Sequence, residues 1–134
     1  MLFRLSATIA CRRETGLTGF GCRVLSAIGT APPITLARVI ADVAHDKSQV
    51  GRAVRRLEEV ALVERRRGPG GAIHLAPTLE GTRTRARIAA EAFRRDTHIL
   101  VPLSADEHTR YVAVLDLLTV NAEALLDAER KRES

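Results

Sequence analysis

The stretch from Asp46 to Ala61 holds the side chains whose types and spacing are best suited to recognition chemistry. On a helix that turns by about 100° per residue, its apolar side chains share one narrow stripe and its polar ones point the other way. Guanidinium groups pair with phosphate oxygens or guanine edges, and Ser and Gln side chains bond base edges. The pattern is typical of a helix that enters the major groove of DNA, with the solvated face of an ordinary surface helix as the alternative. The stripe comprises Val50, Val54, Leu57 and Ala61, and the opposite side Ser48, Gly51, Arg52 and Arg55.

The composition indicates one globular domain. The chain has 134 residues, of which 46% are apolar and 28% charged, which is enough for a core and too apolar for a disordered chain. Only Phe3, Phe20, Phe93 and Tyr111 are aromatic, so the core must consist of Leu, Val, Ile and Ala. This mixture favours helices packed on helices.

The net charge of +5 is unevenly distributed. Residues 1–95 hold 17 Arg and Lys against 8 Asp and Glu, a net charge of +9, whereas residues 96–134 hold 4 against 8, a net charge of −4. A basic body with an acidic C-terminal segment predicts a polyanionic partner for the body. Most of the cations are arginines, which can donate two parallel hydrogen bonds to a guanine or a phosphate.

Several classes of function find no support in the sequence. It contains no nucleophile elbow, no phosphate-binding loop and no pair of carboxylates with enzymatic spacing, so we do not expect an enzyme. His45, His74, His98 and His108 match no zinc-binding spacing, so neither a metal nor another cofactor is expected. No apolar run approaches the roughly 20 residues of a membrane span, and the first nine residues are too interrupted for a secretory signal. We therefore expect a cytoplasmic protein without a membrane partner.

The two cysteines, Cys11 and Cys22, are too few for a disulfide scaffold or a metal knuckle. We interpret each as a small buried hydrophobe. A redox-active Cys11 is the alternative, although Arg12 and Arg13, which could lower the pKa of its thiol, normally face solvent at such positions.

Four helices are predicted in the first half of the chain. Residues 1–13 form a helix with an apolar stripe, and a second helix runs from a cap at Thr18 to Gly29. A third helix opens at Thr35, and Asp46 is the N-cap of the fourth, because its carboxylate can accept from the free N–H groups of the first turn. Two short amphipathic helices, a brief turn and a basic second helix make a helix-turn-helix.

A β-hairpin is predicted directly after the basic helix. Residues 62–67 and 72–76 form two short segments around a Gly68-Pro69-Gly70-Gly71 turn. Ile73 and Leu75 occupy alternate positions, as in a half-buried strand. A hairpin in this place is the wing of a winged helix.

Two long helices are predicted in the second half. Thr78 caps a helix to about residue 98, and Ser104 and Glu107 form a capping box at the start of the last helix. The apolar band of the last helix is wider than one contact face requires, which predicts burial against a second copy of the chain. The lean apolar side of the first long helix consists of Ala86, Ala89, Ala90 and Phe93. The expected dimerisation residues are Leu2, Leu5, Ile9, Tyr111, Val114, Leu115, Leu118 and Leu125.

In order and spacing these segments resemble the MarR (multiple antibiotic resistance regulator) family of bacterial winged helix-turn-helix transcription factors. The resemblance covers about residues 16–130. The last matching motif lies at the start of the first long helix, where the family's dimerisation helix begins. The matching segments are Gly16-Leu17-Thr18, Arg23-Val24-Leu25, Asp46-Lys47-Ser48-Gln49-Val50 with Arg52, Leu57-Glu58-Glu59, Leu62-Val63-Glu64-Arg65 and Thr78-Leu79-Glu80-Gly81.

The resemblance implies a fold that is mainly α with a small β-hairpin wing, in a single domain over residues 1–134. The winged helix-turn-helix, at about 18–77, would lie between dimerisation helices at about 1–15 and 78–130. A homodimer would sit on a pseudopalindromic operator, with its recognition helices in successive major grooves about 34–36 Å apart. Many members repress transcription and release DNA when a small, often aromatic or phenolic, ligand binds, so the resemblance implies an effector of that kind.

On this interpretation, base-edge contacts come from Ser48, Gln49 and Arg52, and other basic side chains of the same helix contact phosphates. Glu58 and Glu59 would repel DNA, so that end of the helix should point away from it. The expected DNA-binding residues are Thr35, Lys47, Ser48, Gln49, Gly51, Arg52, Arg55, Arg56, Arg65, Arg66 and Arg67.

Three features depart from the family pattern. Ala61 stands where a glycine often ends the recognition helix, and since a left-handed cap is harder for Ala, this turn is expected to differ. The wing tip is short and uncharged, so contact with the minor groove would depend on Arg65, Arg66 or Arg67. Gly51 replaces a common Ser or Thr and costs about 1 kcal/mol of helix propensity. Close packing on a neighbouring helix and close approach to DNA are its two explanations.

The sequence therefore predicts a sequence-specific double-stranded DNA-binding transcriptional regulator that acts as a homodimeric repressor. The alternative is a dimeric winged-helix module that binds other proteins and has no operator, which the uncharged wing tip and Glu58-Glu59 favour. A steep salt dependence of DNA affinity would separate the two, because phosphate contacts release counterions.

Overall fold

A computed structural model describes residues 2–132, with the side chains of residues 2–4 and 69 outside the described part. The chain divides into two compact units, one ending at Arg94 and the other beginning at Arg95. The winged helix-turn-helix predicted at about 18–77 lies within the first unit. The mainly helical fold with a small antiparallel sheet is confirmed.

The helices and the hairpin follow the predicted order, with small shifts at their ends. In chain order the elements are α1 (Leu2–Thr15), α2 (Gly19–Ile28), β1 (Ile34–Thr35), α3 (Leu36–Val43), α4 (Lys47–Glu59), β2 (Val63–Arg67), β3 (Ile73–Pro77), α5 (Leu79–Leu100) and α6 (Ala105–Arg132). A single 3₁₀ turn at Pro69–Gly71 forms the tip of the β2–β3 hairpin.

Strand β1 is the element that the sequence did not predict. Strand β3 is the centre of a three-stranded sheet and pairs antiparallel with both β1 and β2. Ile34 lies opposite Leu75, and β1, β2 and β3 each have one buried residue, which is Ile34, Val63 and Leu75 respectively. A two-residue strand is too short for alternation of apolar and polar residues to be detected. The sequence therefore predicted only a connecting segment before α3.

The core of the first unit is aliphatic, as the composition predicted. Helix α2 lies at its centre and packs against α1, α3 and α4. Complete burial of a side chain such as Leu or Val stabilises the fold by roughly 1.5–3 kcal/mol. The fully buried apolar side chains come chiefly from α2, α4 and β3: Val24, Leu25, Ile28, Val50, Val54, Leu57 and Leu75.

The turn between α3 and α4 is held by two side chains from α2 and by His45 of the turn itself. Arg23 Nη2 donates to the carbonyl oxygen of Val43 at 3.1 Å, and His45 Nδ1 lies 2.9 Å from the same oxygen. The His45 ring lies against Phe20, with 4.7 Å between ring centroids. Ala44 adopts the left-handed conformation, with a φ of 49°. These contacts fix the direction in which α4 leaves α3.

The junction between α4 and β2 corrects one expectation. Ala61 itself adopts the left-handed conformation, with a φ of 55°, so the turn does not differ in the way its side chain suggested. Its N–H donates to the Glu58 carbonyl at 3.0 Å, and the Leu62 N–H donates to the Leu57 carbonyl at 2.9 Å. The buried Leu57 and Leu62 at the two ends of the turn hold a conformation that a Cβ makes unfavourable.

Helix α5 begins where its backbone closely approaches Leu62, the residue before β2. Thr78 is its N-cap: the hydroxyl accepts from the Gly81 N–H at 3.0 Å and donates to the Ala61 carbonyl at 2.7 Å. A Cβ on Gly81 would overlap the carbonyl oxygen of Leu62, which accepts at 3.0 Å from the Thr78 N–H. Only glycine therefore permits this approach of the helix to the backbone of Leu62.

The side of α5 that is buried in the first unit is not the one that the sequence predicted. Gly81 and Thr84 are buried and Ile88 packs against the core, whereas Phe93 is 75% exposed and the three alanines of the predicted side, Ala86, Ala89 and Ala90, are exposed too. Small and polar residues occupy the buried positions because α5 approaches closely there, and an apolar pattern cannot reveal such positions.

Helix α6, in the second unit, has no buried side chain along its described length. Its predicted capping box is confirmed: the Ser104 N–H donates to Glu107 Oε2 at 2.8 Å, and the Glu107 N–H donates to Ser104 Oγ at 3.4 Å. These bonds to Ser104 lower the pKa of Glu107. The N-terminus of α6 is therefore capped, but none of the described side chains of this helix is buried within its own unit.

The interpretation of the cysteines as two independent buried hydrophobes is wrong. Cys11 of α1 and Cys22 of α2 are both buried, as expected, but they form a disulfide. The Cα atoms are 6.7 Å apart, within the range that a disulfide spans. Eleven residues separate the pair, and nothing in their spacing shows that α1 and α2 bring them together.

Candidate nucleic-acid interface

The site is built on the first turns of α4, which its N-cap fixes. Asp46 accepts from the backbone N–H of Ser48 at 2.7 Å and from that of Gln49 at 3.3 Å, as the sequence predicted. The Ser48 N–H is the main cause of the lowered pKa of Asp46, with the Ser48 hydroxyl, the Gln49 N–H and the charge of Arg52 contributing in the same direction. Ser48 and Gln49 are both exposed, so their side chains lie at the open end of the helix.

The cations of α4 fall into two groups. Lys47, Arg52 and Arg55 are exposed, and no carboxylate lies within ion-pair distance of them in the part of the chain that the structure describes. Arg56 instead binds Glu59, with Nη1 3.1 Å from Oε2. We call Ser48, Gly51, Arg52 and Arg55 the basic face of α4. It lies opposite the buried stripe of the helix, as the 3.6-residue periodicity requires.

Gly51 lies in open space on this face. A Cβ built at this position has no heavy atom within 4 Å outside its own stretch of helix. The explanation by close packing on a neighbouring helix is therefore wrong. Close approach of another molecule to the helix backbone stays a prediction.

Two of the three wing arginines form ion pairs with glutamates, which the sequence did not predict. Arg65 binds Glu58 through two parallel bonds, Nε to Oε1 and Nη2 to Oε2, each at 2.9 Å. Arg66 lies 2.9 Å from Glu64 on the same strand. Arg67 is exposed and has no carboxylate partner within residues 2–132. Glu58 thus does not repel a partner at the end of α4 but ties β2 to the helix.

Thr35, the remaining residue that was expected to contact DNA, forms hydrogen bonds within its own domain. As the N-cap of α3 its hydroxyl accepts from the Arg38 N–H at 3.3 Å, and its backbone pairs with His74 in β3. The side chain is half-buried. Thr35 is therefore part of the joint between the sheet and the helix-turn-helix, and its contact with DNA stays a prediction.

Three positioning residues were not predicted from the sequence: Phe20, Arg23 and His45. They hold the turn before α4 although none lies on α4 itself. The spacing of Arg23 within the apolar pattern of α2 gives only an exposed position, and its bond to a carbonyl twenty residues later is not visible in the sequence.

The expected dimerisation residues are exposed where their side chains are described. Leu5 and Ile9 on α1 are 55% and 57% exposed, and on α6 Leu118 and Leu125 reach 58% and 63%. Tyr111, Val114 and Leu115 are exposed as well. The side chain of Leu2 lies outside the described residues. Large apolar side chains exposed along a whole helix are unusual for a surface that stays in water.

The described residues include no cluster of His, Cys, Asp and Glu with the arrangement of a metal site. None of the helices within residues 2–132 is long and apolar enough to cross a membrane.

The winged helix-turn-helix has a counterpart among known families. Residues 15–72 match the model of the MarR family. This range contains α2 to β2, including the turn before α4 and the whole basic face. A search of the curated proteins gave no significant match.

Solved structures of the same fold cover most of the chain. The crystal structure of MarR matches with 24% identity and a TM-score of 0.80, over 90% of this chain and 85% of that one. FabT of Streptococcus pneumoniae, in complex with DNA, matches with 20% identity and a TM-score of 0.78, over 92% of each chain. PcaV of Streptomyces coelicolor, in complex with its natural ligand, matches with 24% identity and a TM-score of 0.69, over 90% of this chain and 88% of that one.

At these identities the structures establish the fold, whereas the family model establishes the likeness in sequence. The range of the family model contains the motifs from Gly16 to Arg65 that suggested the family, whereas Thr78-Leu79-Glu80-Gly81 lies beyond it. The resemblance of this chain to the MarR family of transcriptional regulators is therefore confirmed, by sequence over residues 15–72 and by fold over about nine-tenths of its length.

Proposed function

We propose that this chain is a transcriptional regulator that binds double-stranded DNA sequence-specifically through α4. The observation that carries the proposal is the basic face of α4, whose arginines are exposed and form no ion pair with a carboxylate among the described residues. Such side chains are available for base edges and phosphates. The DNA complex of FabT, which has the same fold, supports this use of the fold.

The regulator acts as a homodimer. A helix of 28 residues that buries none of its side chains in its own unit gains little from tertiary packing, which normally supplies most of the stability of a helix. A second copy would cover the apolar side chains of α6, together with Leu5 and Ile9 of α1. Two basic faces would then contact successive major grooves of a pseudopalindromic operator, about 34–36 Å apart.

The regulator represses its target and is released by a small aromatic or phenolic ligand. Both statements extend the family resemblance to this chain, and the complex of PcaV with its natural ligand supports the second. A repressor works where the genome is, so the proposed location is the cytoplasm. The activity is binding, without catalysis and without a cofactor.

The experiment is a gel shift of the purified protein on the intergenic DNA upstream of its own gene, with excess nonspecific competitor. Sedimentation of the same sample gives its oligomeric state. A retained band that weakens steeply with salt supports the proposal, because each phosphate contact releases counterions. Two separate variants, Arg52→Ala and Arg56→Ala, provide the control, because each of them removes one arginine from the same helix.

The second candidate is a dimeric winged-helix module that binds another protein. The observation in its favour is the neutralisation of Arg56, Arg65 and Arg66 by Glu59, Glu58 and Glu64. A folded dimer that retains no DNA under low-salt conditions would support this candidate and contradict the proposal.

A further inference from the structure

Lysine is rare in this basic chain. Its 21 Lys and Arg side chains include only two lysines, Lys47 and Lys131, and all the others are arginines. A guanidinium stays protonated, whereas the lysine amine can lose its proton and is the usual target of acetylation. Acyl chemistry on lysine can therefore change the charge of α4 at one residue, Lys47, which is the first residue of the helix.

The Lys47 side chain is exposed and unpaired. No carboxylate of the described residues lies within ion-pair distance of it. The carboxylate of Asp46, its neighbour in the chain, instead accepts from the backbone N–H groups of Ser48 and Gln49 at 2.7 and 3.3 Å. The amine of Lys47 is therefore open to a small reagent from solvent.

The surroundings of Lys47 attract anions. The basic face begins at the next residue, and on it Arg52 and Arg55 are exposed and form no ion pair with a carboxylate among the described residues. The first turn of a helix also carries the positive end of the helix dipole. The common carriers of activated acyl groups, acyl phosphates and acyl-coenzyme A, are anions, so this field raises their concentration beside the Lys47 amine.

Lys131 lies in a different electrostatic environment. It is exposed too, but it belongs to the last turn of α6, in the second unit. This turn is the negative end of the helix dipole, and Asp127 and Glu129 lie within four residues of Lys131. Loss of the Lys131 charge leaves the charge of α4 unchanged, so Lys131 is an internal reference for the same reaction.

We propose that Lys47 is an acylation site, at which an anionic acyl donor transfers its acyl group to Nζ. The effect on DNA rests on the proposed function: acylation removes the charge with which Lys47 binds a phosphate, and operator binding weakens. The modified residue lies directly before Ser48 and Gln49, so the added group also occupies space at the end of the helix that is expected to enter the groove.

The reaction is an acyl transfer without oxidation or reduction. The ammonium first releases a proton to solvent, and the neutral amine attacks the carbonyl carbon of the donor. A C–N bond forms and the C–O bond to phosphate breaks, or the C–S bond if the donor is a thioester. Phosphate or the thiolate of coenzyme A leaves, the nitrogen loses a second proton to solvent, and a neutral amide remains.

The fold does not oppose this change. A cation in the first turn of a helix lies at the unfavourable end of the dipole, so a neutral amide at Lys47 costs α4 no stability. The N-cap bonds of Asp46 involve backbone N–H groups and do not depend on the Lys47 side chain. We therefore expect the melting temperature of the acylated protein to be unchanged or slightly higher, which separates a lost DNA contact from unfolding.

The test treats the full chain with acetyl phosphate and, in a separate reaction, with acetyl-coenzyme A. Peptide mass spectrometry measures acetylation at Lys47 and at Lys131, with and without the intergenic duplex upstream of the gene. We expect Lys47 to be acetylated in the free protein by at least one donor, and the donor that reacts identifies the source of the acyl group. The duplex should protect Lys47 and leave the reaction at Lys131 unchanged.

Two single-lysine variants assign the effect on DNA affinity. Lys131→Arg keeps only Lys47, and Lys47→Arg keeps only Lys131, while reaction at the α-amino group is common to both. Acetylation of Lys131→Arg should lower its affinity about tenfold at 0.1 M salt and make the slope of log affinity against log salt less steep by about 1.8, because a dimer loses two phosphate contacts. Treated and untreated Lys47→Arg should bind equally.

The outcomes separate this proposal from the proposed function. Absence of acetylation at Lys47 with both donors would overturn the modification site. Equal affinities of acetylated and untreated Lys131→Arg, or an equal loss in Lys47→Arg, would overturn its effect on DNA binding. Failure of the untreated protein to bind any DNA would contradict the proposed function instead, while mass spectrometry would still decide whether Lys47 is acylated.

Discussion

Helix α4 and strand β2 are both rich in arginine, and the structure uses the two sets differently. On α4, Arg52 and Arg55 are exposed and have no carboxylate partner among the described residues. On β2, Arg65 binds Glu58 and Arg66 binds Glu64, so that most of the charge of the wing is compensated locally.

The difference teaches that the number of arginines in a segment does not measure the charge that it offers to a partner. Exposed ion pairs stabilise a fold very little, but they do reduce the potential at the surface. We therefore expect α4 to dominate DNA binding and β2 to contribute chiefly by holding the hairpin in place.

The largest expected effect is that of Arg52→Ala. Loss of a base-edge contact should weaken specific operator binding by about 1–3 kcal/mol, which is roughly fivefold to more than a hundredfold in Kd. The matched variant Arg56→Ala, in which the lost arginine is paired with Glu59, should have a much smaller effect. Fluorescence anisotropy with labelled operator measures both, and equal losses for the two variants would break the distinction between paired and unpaired arginines.

Ala61→Gly tests the turn that joins the two regions. Since Ala61 is left-handed, removal of its Cβ should increase the free energy of unfolding by about 1 kcal/mol. Chemical denaturation measures this gain. Operator affinity should stay the same, because the turn conformation is already formed in the native chain. A loss of stability would contradict the assigned conformation.

Gly51→Ala examines the open position on the basic face. Nothing within 4 Å obstructs the added methyl group, and alanine has the higher helix propensity, so the free energy of unfolding should rise by about 0.8–1 kcal/mol. Operator affinity should fall, because the methyl group would keep the helix away from the base edges. Greater stability together with unchanged affinity would show that DNA does not approach α4 at this position.

Arg65→Ala and Arg67→Ala divide the wing into its two tasks. The first should lower the free energy of unfolding by about 0.5 kcal/mol through the loss of the bond to Glu58. The second should leave stability unchanged and reduce the slope of log affinity against log salt by about 1 per lost phosphate contact. Identical behaviour of the two variants would mean that Arg65 and Arg67 do not differ in function.

The parts of the fold that the sequence could predict depend on local signals. Asp46 at the start of α4 and the Ser104–Glu107 box act within a single helical turn, and both occur where the sequence placed them. The buried stripe of α4 follows from periodicity alone, since it contains Val50 and Val54 on one side of one helix. For the same reason the basic face could be named in advance.

What the sequence could not predict depends on the approach of distant segments. Gly81 matched a family motif, but its physical role is to admit the carbonyl oxygen of Leu62. The bond between Arg65 and Glu58 requires the left-handed turn at Ala61, which brings β2 back along α4. The charge available at the wing therefore became visible only in three dimensions.

The most direct test of the central claim is the salt dependence of operator binding, measured by anisotropy on the operator and on a scrambled duplex of equal length. If Lys47 and Arg55 of each protomer contact phosphates, a dimer makes four such contacts, and log affinity should fall with log salt with a slope of about −3.6 or steeper. The operator should also bind more tightly than the scrambled duplex at every salt concentration. A slope near zero and equal binding of both duplexes, by a protein shown to be a folded dimer, would contradict the account.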